Sequence, residues 1–149
     1  MDLYSGLPYW IAKNPLYNYY NPLQSDQETE VLIIGSGITG ALVAHELCMA
    51  GIRCAMIDKR DISSGSSVAS TALLQYEIDT PLVKLKEMIG EENAVEAFRA
   101  CLRSITDVET VFKIIGYDPD FERVPSLYYA SNRRGEKLIR EEYKLRKKI

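Results

Sequence analysis

The run Val31-Leu32-Ile33-Ile34-Gly35-Ser36-Gly37-Ile38-Thr39-Gly40 constrains this chain more than any other stretch. Four consecutive apolar residues predict a strand buried on both faces. The glycines that follow predict a tight turn, and residues 38–50 read as a helix closed by Gly51 at the usual position just past its end. Ala44 and Leu47 fall on the side of that helix that must meet the sheet. Cys54-Ala55-Met56-Ile57 predicts a second buried strand, ending at Asp58. Strand, turn, helix and strand within about thirty residues define a βαβ unit with parallel strands and a right-handed crossover.

The glycine run fits G-x-G-x-x-G in the structural context that this spacing requires. Gly35 allows the turn, Gly37 lets backbone approach a pyrophosphate, and Gly40 lets the helix pack closely on the strand. Ser36, Ile38 and Thr39 lie on the same loop, where the helix start offers unpaired N–H groups and partial positive charge to phosphates. Asp58 comes 18 residues after Gly40, where a carboxylate accepts hydrogen bonds from a ribose diol. Its charge disfavours a 2′-phosphate and hence NADP. A glycine-rich turn beside a surface aspartate is the plainer alternative. With strand, glycines, helix and acid in register, the expected ligand is a dinucleotide.

The segment after Asp58 bears on which dinucleotide. Lys59 and Arg60 supply cations, and Gly65-Ser66-Ser67-Val68-Ala69-Ser70-Thr71 is small and rich in hydroxyls. Such a stretch suits a second approach to the pyrophosphate, although an ordinary serine loop has the same composition. From Val31 to Asp58, together with Gly65 to Tyr76, the sequence resembles the N-terminal part of flavoproteins of the D-amino acid oxidase superfamily, which includes glycine oxidase and sarcosine oxidase. The resemblance is strongest over residues 30–80. It implies an α/β fold, with a Rossmann-like βαβ FAD-binding domain followed by helices and the start of a second, sheet-containing region. It also implies FAD as cofactor and oxidation of an amine or amino acid by hydride transfer to the flavin. By that resemblance the segment from Ser66 to Leu74 runs beside the pyrophosphate and flavin, which makes Ser66, Ser67, Ser70 and Thr71 candidates beside the glycine loop, Asp58, Lys59 and Arg60. Relatives carry a second glycine-rich motif and substrate-binding residues farther along, and neither is found here. The catalytic residues are therefore unassigned.

Three segments are expected: an aromatic arm over 1–29, the FAD-binding core with its serine-rich segment over 30–80, and a helical region over 81–149. The arm holds Trp10, the single tryptophan, with Tyr4, Tyr9, Tyr17, Tyr19 and Tyr20 among Pro8, Pro15 and Pro22. Prolines at this density prevent a long helix. So many aromatics argue for packing over the main domain or for a contact in a homo-oligomer. A short helix is expected around 68–76, and Pro81 opens another that runs to Ile89. Glu91 to Ile115 has apolar residues at threes and fours, among them Val95, Phe98, Leu102 and Ile105, and Gly116 closes it. Ser126-Leu127-Tyr128-Tyr129-Ala130 reads as a strand, and a last helix starts near Asn132. With so few strands for a parallel sheet and an apolar pattern still running at Ile149, the chain is expected to be an N-terminal portion, inactive alone.

Composition narrows the class. Of 149 residues, 46% are hydrophobic and 26% charged, which is a globular balance, and the net charge of −3 offers no general attraction to nucleic acid. Residues 133–148 hold eight basic and three acidic side chains, a mixture that suits a solvated amphipathic helix better than a nucleic-acid site. No apolar stretch is long enough to span a membrane, and the first residues lack the pattern of a signal peptide. Cys48, Cys54 and Cys101 lack metal-ligand spacing and suit free thiols in a reducing cytoplasm, with no metal expected; Cys48 and Cys54 could meet at the helix–strand junction, although small buried thiols are the ordinary reading. His45, the single histidine, reads as a helix-flank residue, and Tyr76 and Glu77 suit core or surface roles as well as an approach to the flavin. The expected function is that of an FAD-dependent oxidoreductase acting on a small amine or amino acid. The alternatives are an NAD-dependent dehydrogenase and a non-catalytic nucleotide-binding subunit that needs a partner chain.

Overall fold

The computed structural model describes residues 5–14 and 18–149, with Arg134 described by its backbone alone. Of the leader residues named above, Tyr4, Pro15 and Tyr17 lie outside the described residues. The chain divides into two compact units, Met1–Ala72 and Leu73–Ile149.

In the first unit the apolar runs form β1 (Val31–Ile34) and β2 (Cys54–Ile57), joined through α2 (Ile38–Met49). A short helix α1 (Tyr9–Lys13) precedes them, starting after Pro8. The strands pair in parallel, Val31 opposite Cys54 through Ile34 opposite Ile57, and the ladder continues into the turn as Gly35 N–H donates to the Ile57 carbonyl at 2.8 Å. Both strands are expected to be buried on both faces, and in this unit neither is: in β2 Cys54 and Ala55 are half-buried and Met56 and Ile57 exposed. Ile33 is buried, while Leu32 is exposed and Ile34 is 81% exposed. The reason is the pleat: alternate residues face opposite sides, and among the described residues α2 packs on both strands. Gly51, at φ +74°, ends α2 as its position suggested; Ile52 N–H returns to the Leu47 carbonyl and Gly51 N–H to that of Cys48.

After β2 the chain crosses a polar loop into a 3₁₀ turn, Ser66–Ala69. The helix expected over 68–76 does not form. Ser70 leaves the turn with extended backbone, its hydroxyl accepts the N–H of Ala72, and Ala72 sits at φ +55°. A serine side chain that satisfies nearby backbone in this way competes directly with a helix.

The second unit is helical. Pro81 precedes α3 (Leu82–Ile89), Gly90 separates it from α4 (Glu91–Ile115), and Gly116 at φ +66° ends α4. Asn132 caps α5 (Arg133–Arg146) by accepting the Gly135 N–H through its side chain. Leu82, Ala94, Phe98 and Leu145 form the core, with Tyr76, Val83, Leu85 and Ile149 packed against it. The C-terminal half of the α4 stripe stays outside this core, and both Leu102 and Ile115 are exposed. The strand expected over Ser126–Ala130 is absent, since no second strand in this unit offers its backbone groups a ladder. No described helix is long and apolar enough to cross a membrane.

Candidate functional site

The glycine turn, α2 and the tip of β2 meet at one end of the parallel pair. Gly35 adopts φ +109°, a backbone open to glycine and strained for other residues. A Cβ at Gly40 would lie 2.0 Å from the Gly35 carbonyl oxygen and 3.3 Å from a methyl of Ile33, so a side chain there would push the helix off the turn. A Cβ at Gly37 would meet the Ser67 hydroxyl at 3.0 Å. The first and third glycines therefore make the turn and its helix contact, and the second keeps the approach to the helix start narrow but open.

Gly37, with no side chain, occupies the N-cap position of α2. The Ile38 N–H donates to the Ser67 hydroxyl at 3.1 Å. The 3₁₀ turn thus sits against the positive end of α2, the place where helix N–H groups and helix dipole favour anionic ligands. Thr39 is exposed at the same end.

Asp58 closes the other side. Its Oδ2 accepts the Ser36 N–H at 2.7 Å and the Ser36 hydroxyl at 2.9 Å, and its Oδ1 accepts the Arg60 N–H at 3.0 Å. These donors, led by the Ser36 and Arg60 backbone N–H groups, hold the Asp58 carboxyl down at about 2. A carboxylate offers about four acceptor positions. The Ser36, Lys59 and Arg60 donors engage them from the protein side, and the group remains exposed. Ser36 is itself buried, so Asp58 fixes the turn and still presents charge to solvent. Lys59 and Arg60 contribute to this carboxylate through their backbone N–H groups, and the Lys59 side chain is exposed.

Of the serine-rich candidates, Ser67 is thus brought to the glycine loop. Ser66 opens the 3₁₀ turn and is exposed. Ser70 and Thr71 lie just beyond it, also exposed, and the Ser70 carbonyl accepts the Trp10 indole N–H at 2.7 Å. Two contributors escaped the motif. Ser63, at φ +58°, donates its N–H to the Ser36 carbonyl at 3.1 Å and folds the polar loop onto the turn. Trp10 anchors the far end of the serine segment. Nothing in the local sequence marks Ser63, whereas Trp10 stood out as the single tryptophan.

His45 lies on α2 beside Glu46, and its Nε2 is buried without a hydrogen-bond partner among the described residues. Among those residues no group of three or more His, Cys, Asp and Glu side chains is arranged to hold a metal ion.

A parallel βαβ unit with a glycine cradle at the helix start and an exposed carboxylate at the second strand tip is the Rossmann-like arrangement of dinucleotide-binding domains. Residues 30–149 match the FAD dependent oxidoreductase (DAO) family, and the chain belongs to that family, whose cofactor is FAD. A Bacillus subtilis (strain 168) protein named as a Rieske 2Fe-2S iron-sulfur protein is 25% identical over 141 residues, covering 95% of this chain and 28% of its own length. One subunit of the anaerobic glycerol-3-phosphate dehydrogenase of Haemophilus influenzae is 40% identical over 50 residues, 34% of this chain and 9% of its own. The aerobic glycerol-3-phosphate dehydrogenase of Staphylococcus saprophyticus is 43% identical over 49 residues, 33% of this chain and 9% of its own. The chain therefore spans less than a third of the length of these relatives. No solved structure matches it.

The residues present fit FAD. The cradle at Gly37, which a Cβ would fill, and the exposed charge of Asp58 suit the phosphate and ribose of its ADP half.

Proposed function

We propose that these residues hold the ADP half of FAD in an oxidoreductase that acts on a small amine or amino acid. Gly35, Ser36, Gly37, Ile38, Thr39 and Gly40 would cradle the pyrophosphate at the start of α2, with Asp58 taking the ribose hydroxyls. Lys59 and Arg60 would add positive charge nearby, and Ser66, Ser67, Ser70 and Thr71 would line the path toward the flavin. The observation that carries this reading is the contact of Ser67 with the Ile38 N–H, which brings the serine segment to the anion-favouring helix end. Bound FAD supplies a two-electron acceptor, and the protein's share is orientation and electrostatics.

The amine or amino-acid substrate rests on the resemblance of the serine-rich segment to the D-amino acid oxidase superfamily. The relatives named for glycerol 3-phosphate favour a second substrate class, a polyol phosphate. Free cysteines support a reducing, cytoplasmic setting. The relative named for a Rieske cluster supports an iron–sulfur centre as electron acceptor of the whole protein. A Rieske centre needs two histidines and two cysteines. With one histidine, these 149 residues do not supply such a set.

Two experiments test the reading. Isothermal titration of nucleotide-stripped protein with FAD, ADP and NAD should give binding of FAD and ADP with NAD weaker. Preference for NAD over FAD overturns it in favour of a nicotinamide dehydrogenase. Anaerobic mixing of the flavin-loaded full-length protein with a panel of glycine, sarcosine, D-amino acids and glycerol 3-phosphate should bleach the flavin with an amine. Bleaching by glycerol 3-phosphate alone replaces the substrate class and leaves the FAD assignment standing.

A further inference from the structure

The ordinary reading of Cys48 and Cys54 is a pair of small buried thiols, and the alternative is a meeting at the helix–strand junction. Cys48 is exposed and Cys54 half-buried, and their sulfurs lie 3.9 Å apart across the junction of α2 and β2. The pair flanks a hydrogen-bonded turn. At one end, Ile52 N–H bonds the Leu47 carbonyl at 2.9 Å, and Gly51 N–H bonds that of Cys48 at 3.0 Å. At the other end, the Arg53 carbonyl accepts the Val31 N–H and the Thr29 hydroxyl, which fixes the start of β2. Their 3.9 Å separation compares with about 2.05 Å in a formed disulfide, so the two sulfurs are already van der Waals neighbours.

We propose that Cys48 and Cys54 form a reversible dithiol–disulfide pair, a peroxide-sensitive modification site in the nucleotide-binding unit. Cys48, the more exposed of the two residues, is the attacking group. Its thiolate attacks one oxygen of hydrogen peroxide and the O–O bond breaks. The departing hydroxide takes a proton and leaves as water, and Cys48 is now a sulfenic acid. The Cys54 sulfur then attacks the Cys48 sulfur and the S–O bond breaks. The Cys54 proton leaves with the hydroxide as a second water. The two sulfurs together lose two electrons, which reduce the peroxide to two waters. An added dithiol reverses the change by exchange. Desolvation, and then the hydrogen bond and charge of Cys48, hold the Cys54 thiol above its usual value, which suits it to wait as the protonated resolving partner. The bond would tie α2, which starts at the glycine turn, to β2, which leads into Asp58.

The test treats the native full-length protein with hydrogen peroxide, blocks remaining thiols by alkylation, and maps peptides by mass with and without a reducing dithiol. The expected product has lost two hydrogen atoms and carries a 48–54 crosslink. That crosslink should outnumber any involving Cys101 by about tenfold or more, because effective concentration favours the neighbouring pair. The dithiol should restore both free thiols. Oxidation of Cys48 to sulfinic acid without a crosslink, or both thiols still alkylatable when a reference dithiol peptide is fully oxidised, overturns the proposal. Cys101→Ser should leave the product unchanged, and C54S should leave Cys48 sulfenic and trappable by a diketone probe. The native chain alone decides the outcome, so a variant that fails to fold does not blur it.

Discussion

Replacing Gly40 with alanine sets two effects of opposite sign against each other. Alanine is favoured over glycine inside a helix by about 1 kcal/mol, so a glycine in α2 with open space around it would be improved by the change. The structure predicts the reverse. The new Cβ would lie 2.0 Å from the Gly35 carbonyl oxygen, where ordinary contact begins near 3.4 Å, so turn and helix must part by more than an ångström. The obstructing atom is backbone, in a turn pinned by the 2.8 Å bond from Gly35 N–H to the Ile57 carbonyl, so no side-chain rotation relieves it. Overpacking of this kind costs about 1–3 kcal/mol, and an immovable backbone neighbour puts the change at the upper end. Net of propensity, Gly40→Ala should destabilise the first unit by about 2 kcal/mol, a fall of about 1 M in the urea midpoint. Trp10, the single tryptophan, lies in this unit, so its fluorescence reads the transition. FAD affinity should fall with it. A midpoint that rises by the equivalent of about 1 kcal/mol would refute the close packing of turn and helix.

Asp58→Asn tests the ribose assignment. Losing a charge-assisted bond worth about 1.5–3 kcal/mol should weaken FAD binding roughly 10- to 100-fold with the fold retained, and a change below about twofold by calorimetry contradicts it. The same carboxylate governs acid behaviour. Its folded value, about 2, lies below the usual 3.8, so it contributes stability above 3.8 that is lost as pH falls toward 2. Exposure keeps that contribution small, and the Trp10-monitored midpoint should decline over this window in the native chain and less in Asp58→Asn. In the second unit Glu142, 1% exposed, accepts the Leu82 and Val83 N–H groups at 2.9 Å and the Arg146 Nε at 2.9 Å. Glu142→Leu leaves the buried Leu82 N–H and the part-buried Val83 N–H unpaired, while Arg146 keeps Glu77, and should cost about 2–4 kcal/mol, seen as lost helical circular dichroism on mild heating; an unchanged melt contradicts it.

The parts legible in the sequence are those governed by local chemistry. The apolar runs of β1 and β2, the glycine spacing, Gly51 and Gly116 at helix ends and Asn132 at a helix start each follow from a few neighbouring residues. The errors fall where distant or competing partners decide. Ser126–Ala130 has strand composition but no ladder, and Tyr128 instead stacks under the Arg146 guanidinium, 5.1 Å from its ring centre. The helix expected over 68–76 gives way to a 3₁₀ turn, because the Ser70 hydroxyl takes the Ala72 N–H. At the site, the glycine loop and Asp58 could be read from spacing. That Asp58 would bond Ser36, that Ser63 would fold over it, and that Ser67 would reach Ile38 depend on how the polar loop closes, and no periodicity records that. Glu142, a charge buried under two helix N–H groups, was equally invisible, because its position on α5 reads as one more acid on a solvated face.

Binding of FAD by this fold can be read directly. The most direct measurement is the absorption spectrum of the full-length protein as purified from cells, before and after acid precipitation. Flavin bands in the native protein, with FAD identified after precipitation, are the predicted result. A colourless protein that rejects added FAD and binds NAD would contradict the account.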